Sequence, residues 1–202
     1  MTPFLFLVAA LSAVDAVEAE RAFAAKAQTS GQWTAFREFA TADAIMFVPQ
    51  AVNAQQWLAG RSDPPRAVMW WPASSYLSCD GTIAVNSGPW LRNGGALSGY
   101  FTTLWQRQPD GGWKWLLDHG DGVAKPRRAG DAVRSRRASC QGRPPSMPAP
   151  ASPDSGLGSS ADNSLIWRWE VAADGGRTIR VLLWNGTRHE TAVEDNVAGQ
   201  EK

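Results

Sequence analysis

Asp118-His119-Gly120-Asp121 puts a carboxylate, an imidazole and a second carboxylate side by side at the end of a strand-like run. In an apolar pocket, desolvation disfavours the charged form of such groups and moves their pKa toward neutrality, which makes them useful acids or bases. His119 backed by a carboxylate could shuttle a proton in an isomerisation or dehydration, and Asp118 could do so alone. Neighbours on a regular strand alternate, so if one of Asp118 and His119 faces a cavity, the other faces away. The same pair serves equally well as a salt-bridging rim carboxylate and a hydrogen-bonded structural histidine. Tyr76 and Tyr100 are the only phenols and could donate to a developing oxyanion. Asp43 reads as an exposed turn residue. The sequence has no Ser/His/Asp elbow, Walker loop, HExxH or GxGxxG pattern. Cys79 and Cys140 have no CxxC neighbour or clustered His, so neither a metal nor a cofactor is expected.

A pocket for these groups is suggested by the 11 Trp in 202 residues. Each Trp brings a large apolar area and one N–H donor, which suits an aromatic core, cavity or interface. Trp33, Phe36, Trp57, Trp71, Trp90, Tyr100 and Trp105 are the residues expected to line the cavity. The expected occupant is an apolar or aromatic small molecule. The formal net charge of +1 argues against a strongly electrostatic partner. Nucleic-acid binding would need a basic aromatic platform that the folded part lacks. At 44% hydrophobic and 19% charged, the chain is too apolar for wholesale disorder.

Pro3 to Val14 (PFLFLVAALSAV) is an apolar run too short to span a bilayer, with small-residue cleavage patterns ending at Ala16 and Ala19. It reads as an export signal over residues 1–19, although it could also be the first turns of a helix. The mature chain would begin at or near Glu20, or at Val17, and would be periplasmic or secreted with no membrane span. Two cysteines in an exported protein are a candidate disulfide, Cys79–Cys140.

The elements that must position these residues can be traced along the chain. Asp15 to Gln28 is Ala-rich and helical, and Thr34 to Ala40 forms a second short helix. Ala44 to Val48 is a strand, and Asn53 caps a helix carrying Trp57 and Leu58. Strands are expected over Ala67–Pro72, Ile83–Trp90, Tyr100–Gln108 and Trp113–His119, with a hairpin turn at Pro109-Asp110-Gly111-Gly112. In the last strand, regular alternation puts Trp113, Trp115, Leu117 and His119 on one face and Lys114, Leu116 and Asp118 on the other. From 124 to 162 the chain is basic and then Pro/Ala-rich, with seven Lys/Arg against one Asp between Ala124 and Arg143, and reads as a linker. Over 163–197, Leu165, Trp167, Trp169 and Val171 face Ile179, Val181 and Leu183 in a hairpin. Such a hairpin is marginal alone, so it pairs with the main sheet or with another chain, a homodimer included.

The segments ERAFAAKAQ, DAIMFVPQAVNAQQWL, SGPW, GYFTTLWQRQPDGGWKW and LDHGD, taken together, resemble the nuclear transport factor 2-like superfamily in its SnoaL-like, unknown-function branch. The resemblance runs over residues 20–123. It implies an α+β fold: a cone-shaped, curved antiparallel β-sheet wrapped around N-terminal helices, here with a C-terminal β-hairpin extension. It implies a cavity but no particular reaction, because relatives include isomerases, cyclases, dehydratases and transport adaptors. The ketosteroid-isomerase pattern of a helix Tyr with sheet carboxylates is not matched, since the first two helices contain no Tyr. Two functions follow. One is an exported small-molecule-binding protein; the other is an isomerase, cyclase or hydratase using Asp118 or His119.

Overall fold

The computed structural model describes residues 13–150 and 152–199. Most of the apolar N-terminal run, residues 1–12, therefore lies outside the described residues. Helix α1 (Ala13–Ser30) breaks at Gly31, whose φ of 107° suits glycine, and α2 (Gln32–Phe39) follows. Helix α2 has no side-chain cap of its own. Instead, Asp63 reaches across from the Pro64-Pro65 loop and accepts from the Thr34 backbone N–H (2.9 Å) and hydroxyl (2.6 Å). Those hydrogen bonds hold the Asp63 carboxyl below its ordinary range.

Strands β1 (Ala40–Phe47) and β2 (Ala51–Asn53) lead to α3 (Ala54–Leu58). As expected, Asn53 caps α3, its side chain accepting from the Gln56 N–H at 2.9 Å. Then come β3 (Met69–Trp70), β4 (Ser74–Leu77), β5 (Ile83–Arg92), β6 (Leu97–Arg107), β7 (Trp113–Gly122) and β8 (Arg134–Arg137). These form a curved, unclosed sheet in the order β2-β1-β7-β6-β5-β4-β8, with β3 on β5. A smaller antiparallel sheet holds β9 (Ser155–Ser159), β10 (Leu165–Val171), β11 (Arg177–Trp184) and β12 (His189–Val197).

The architecture is the expected one of helices, curved sheet and C-terminal β extension, with three differences. The large sheet is mixed, because β1 runs parallel to β7 and β8 parallel to β4. The residues read as a linker supply two strands: β8 extends the large sheet and β9 the small one. Their side chains show no apolar period because β8 is an exposed edge and β9 is Gly/Ser-rich. The C-terminal hairpin is accordingly a four-stranded sheet. Gly156 and Gly158 on β9 lie beneath the rings of Trp169 and Trp167, where a Cβ would meet ring atoms at 2.4 and 2.1 Å. The disulfide Cys79–Cys140, with Cα atoms 5.2 Å apart, ties the chain after β8 to the end of β4.

Each face of the large sheet has its own core. Inside the cone, α1 and α2 pack Ala16, Phe23, Ala27 and Ala35 against Met46, Leu58, Trp70, Leu77, Phe101, Trp105 and Trp115. Outside it, Ile83, Val85, Leu104 and Leu117 meet Leu165, Ile179, Val181, Leu183 and Val193 of the small sheet. The C-terminal extension thus packs on its own chain.

Candidate functional site

The position of the Asp118–His119 pair depends on a bulge. In the β6–β7 ladder Leu104 pairs with Leu117 but Trp105 pairs with Trp115, which leaves Leu116 as an extra residue. One extra residue shifts the alternation by one. Trp113 and Trp115 therefore face the helices, whereas Leu117 and His119 face the small sheet. Asp118 turns into the cone beside Thr103, whose hydroxyl donates to its Oδ2 at 2.8 Å. The expected common face of Trp113, Trp115, Leu117 and His119 is corrected on this ground.

Inside the cone lies a cavity of about 150 Å³, walled by Phe23, Phe36, Val68, Trp70, Trp90 and Phe101, with Gln32 and the Asp118–Gly120 stretch at its edge. Asp118 retains some accessible surface because it borders this cavity. The protein around it still withdraws the carboxyl from bulk water, and that desolvation pushes its pKa up to about 7.

A second carboxylate lies deeper. Glu20 is fully buried on the face of α1 that carries Ala16, Phe23 and Ala27. Its Oε1 accepts from Trp70 Nε1 (2.8 Å) and its Oε2 from Trp105 Nε1 (2.7 Å), with Asn86 Nδ2 at 3.4 Å. Burial outweighs these donors, and with repulsion from Asp118 it takes Glu20 up to about 8. Sequence reasoning missed Glu20 as a site residue. Its signal was a lone carboxylate in an apolar stripe at helical spacing, 16-20-23-27.

Of the expected lining residues, the structure brings Phe36 and Trp90 to the cavity. Trp33 stacks edge-on with Phe36 and Trp57 behind the wall, and Trp57 is covered by Arg61 at 3.6 Å. Trp105 is wholly buried below the cavity, and its neighbour Trp70 takes the wall position that had been expected of Trp71. Tyr100 faces outward: Arg127 lies 3.9 Å over its ring, and burial lifts its phenol to about 12.

His119 belongs to that outer layer. Its Nδ1 accepts from Arg177 Nε at 3.0 Å, which places any ring proton on Nε2, 3.7 Å from Asp195 Oδ2. Burial, then Arg177 and Arg127, hold the imidazole well below its ordinary pKa. Asp195 is in turn bonded by Thr102 Oγ1 (2.7 Å) and by Arg127. His119 is thus part of a buried polar seam between the two sheets, and the candidate acids of the cone are Asp118 and Glu20. Among the described residues no group of His, Cys, Asp and Glu has the arrangement to hold a metal ion.

No protein-family model matches the chain, and no curated protein matches it. Solved structures resemble it over a little more than half its length. A candidate ketosteroid isomerase from Parabacteroides distasonis is 18% identical with a TM-score of 0.44, covering 54% of this chain and 86% of the other. A nuclear transport factor 2-like superfamily protein from Salmonella enterica is 14% identical with a TM-score of 0.42, covering 59% and 96%. A protein of unknown function from Pectobacterium atrosepticum is 15% identical with a TM-score of 0.41, covering 55% and 90%.

Proposed function

We propose that the cone binds a small, mostly apolar molecule of about one ring and that Asp118 exchanges a proton with it. The observation that carries this reading is a carboxyl group with a pKa of about 7 on the wall of an aromatic cavity of about 150 Å³. An apolar cavity of that order holds a benzene-sized molecule. Near neutrality Asp118 is divided between its acid and base forms. It can therefore donate to a carbonyl or hydroxyl oxygen, or accept a proton from a carbon beside one, as an isomerase or dehydratase requires. Glu20 stands behind it, and an ionised Asp118 favours the protonated form of Glu20. Binding without turnover is the second reading, favoured by a wall on which Asp118 is the one carboxylate.

Export is part of the proposal, supported by the apolar run over residues 3–14 and by the disulfide. Helix α1 passes through both cleavage patterns, and Ala16 within it is buried and accepts from Asn86 Nδ2 at 2.8 Å. Cleavage after either alanine would remove that contact.

The test uses 2-cyclohexenone and phenol as probes, with Trp fluorescence for binding and NMR for deuterium uptake at the α′-carbon (C6) of the enone in D2O. Both probes should bind to the wild type and to Asp118→Asn, and wild-type exchange should exceed that of the variant by about 100-fold or more. Binding without exchange would leave the non-catalytic reading. If neither probe binds, the cavity is not a ligand site for molecules of this class.

A further inference from the structure

We infer a second ligand site, for an oxyanion, in the groove where the outer edge of the large sheet meets β12. The groove encloses about 290 Å³ between Ser74 and Tyr76 on β4, the segment carrying Arg127 and Arg128, Arg134 on β8, and Glu194–Asp195 on β12. It lies on the opposite face of the sheet from the cone cavity and does not depend on the function proposed for that cavity.

The argument is a balance of donors and acceptors. The acidic groups on the wall are already taken: Asp195 by Arg127 and Thr102, and Glu194 by Arg180 at 2.6 Å. What remains is cationic or donating. Arg128 and Arg134 have no ionic partner among the described residues, and the Tyr76 hydroxyl has no hydrogen-bond partner there. Ser74 Oγ has only a long contact, 3.5 Å, to the Ser87 carbonyl. Two guanidinium groups and the Tyr76 hydroxyl thus border one groove without an acceptor of their own, beside a Ser74 hydroxyl whose acceptor is distant. A carboxylate, phosphate or sulfate supplies that acceptor, because planar guanidinium donors match oxyanion geometry.

The backbone that carries these side chains is also held in place. Arg134 is fixed by parallel pairing with Ser74 and by its backbone N–H donating to the Ala73 carbonyl at 3.0 Å. Arg128 directly follows Arg127, which is anchored on buried Asp195. An oxyanion bound here would bridge β4, β8 and the segment between β7 and β8. It would therefore bind the folded chain selectively and raise its melting temperature.

The experiment titrates the full chain with inorganic phosphate and with sulfate at constant ionic strength, reading backbone amide NMR shifts and thermal unfolding. Arg128→Gln/Arg134→Gln is compared with the charge-matched double variant Arg136→Gln/Arg188→Gln, whose residues lie outside the groove. The expected result is saturable shifts at residues 73–76, 127–134 and 193–195, weakened about tenfold or more in the first variant and unchanged in the second. Absence of saturable binding, or equal weakening in both variants, would overturn the site. Co-sedimentation with vesicles containing phosphatidic acid, against neutral vesicles, distinguishes the source of the anion. Binding that needs Arg128 and Arg134 assigns a lipid headgroup, and phosphate binding without co-sedimentation assigns a free anion.

Discussion

Glu20 and Asp118 are two carboxyls with different partners, and they respond differently to substitution. Both oxygens of Glu20 accept indole N–H groups, so Glu20→Ala leaves the Trp70 and Trp105 donors buried without acceptors. Unfolding by denaturant should show a loss of about 3 kcal/mol or more for Glu20→Ala, and a smaller one for Glu20→Gln, which keeps one acceptor oxygen. Asp118 is expected to act on the pH dependence of stability. Its folded pKa is raised from 3.8 to about 7, so the folded state holds more protons than the unfolded chain within that window. Stability therefore falls as pH rises through it. Asp118→Asn removes that loss, and the variant should gain on the wild type between pH 4 and pH 8 by on the order of 2 kcal/mol. Thermal unfolding across the range checks this, and a flat difference would refute it. His119 has the opposite sign: its pKa is depressed, so the stability of its neutral form is lost as pH falls below 6.5.

Among the elements, the bulge at Leu116 and the disulfide have the largest consequences. The bulge lets one strand serve two cores, with Trp115 and Asp118 facing the helices and Leu117 and His119 the small sheet. The Cys79–Cys140 bridge closes a loop with a sequence separation of 61. In the chain-entropy account, a loop of that length is worth about 4 kcal/mol. Cys79→Ser/Cys140→Ser should lose up to that much in denaturant unfolding, with β8 the first strand to lose amide protection because its other neighbour is solvent. On β9, Gly158→Ala places a methyl 2.1 Å from the Trp167 ring. The expected loss is about 1–3 kcal/mol, read from the melting temperature.

At the scale of the whole molecule, the small sheet covers the outer face of the cone. Without β9–β12, Ile83, Val85, Leu104 and Leu117 would be exposed together, Arg127 would lose Asp195, and His119 would lose Arg177. A chain ending at residue 150 should therefore aggregate or bind a hydrophobic dye, and size-exclusion chromatography with such a dye decides the point. A compact, dye-silent monomer would show that the cone folds alone.

Local chemistry was enough to read the turns and the pairing of the last strands. Gly111 and Gly175 have the positive φ that their turns require, and Leu165, Trp167 and Trp169 pair with Leu183, Val181 and Ile179. Asn53 capped its helix, and the helices, curved sheet and C-terminal β extension arose in the expected order. These features depend on backbone sterics and on side-chain period, which neighbouring residues carry. The site was legible only in part. Asp118 was visible as a candidate, but its direction turned on one extra residue in β7, and alternation does not reveal a bulge. Tyr100 and His119 pointed outward because a second sheet was there to bury them, a contact that for His119 is made across 58 residues of chain to Arg177. Glu20 gained its role from Trp70 and Trp105, which the fold alone brings to the middle of α1. Burial, and with it the raised pKa values of Glu20 and Asp118, is set by residues distant in the chain.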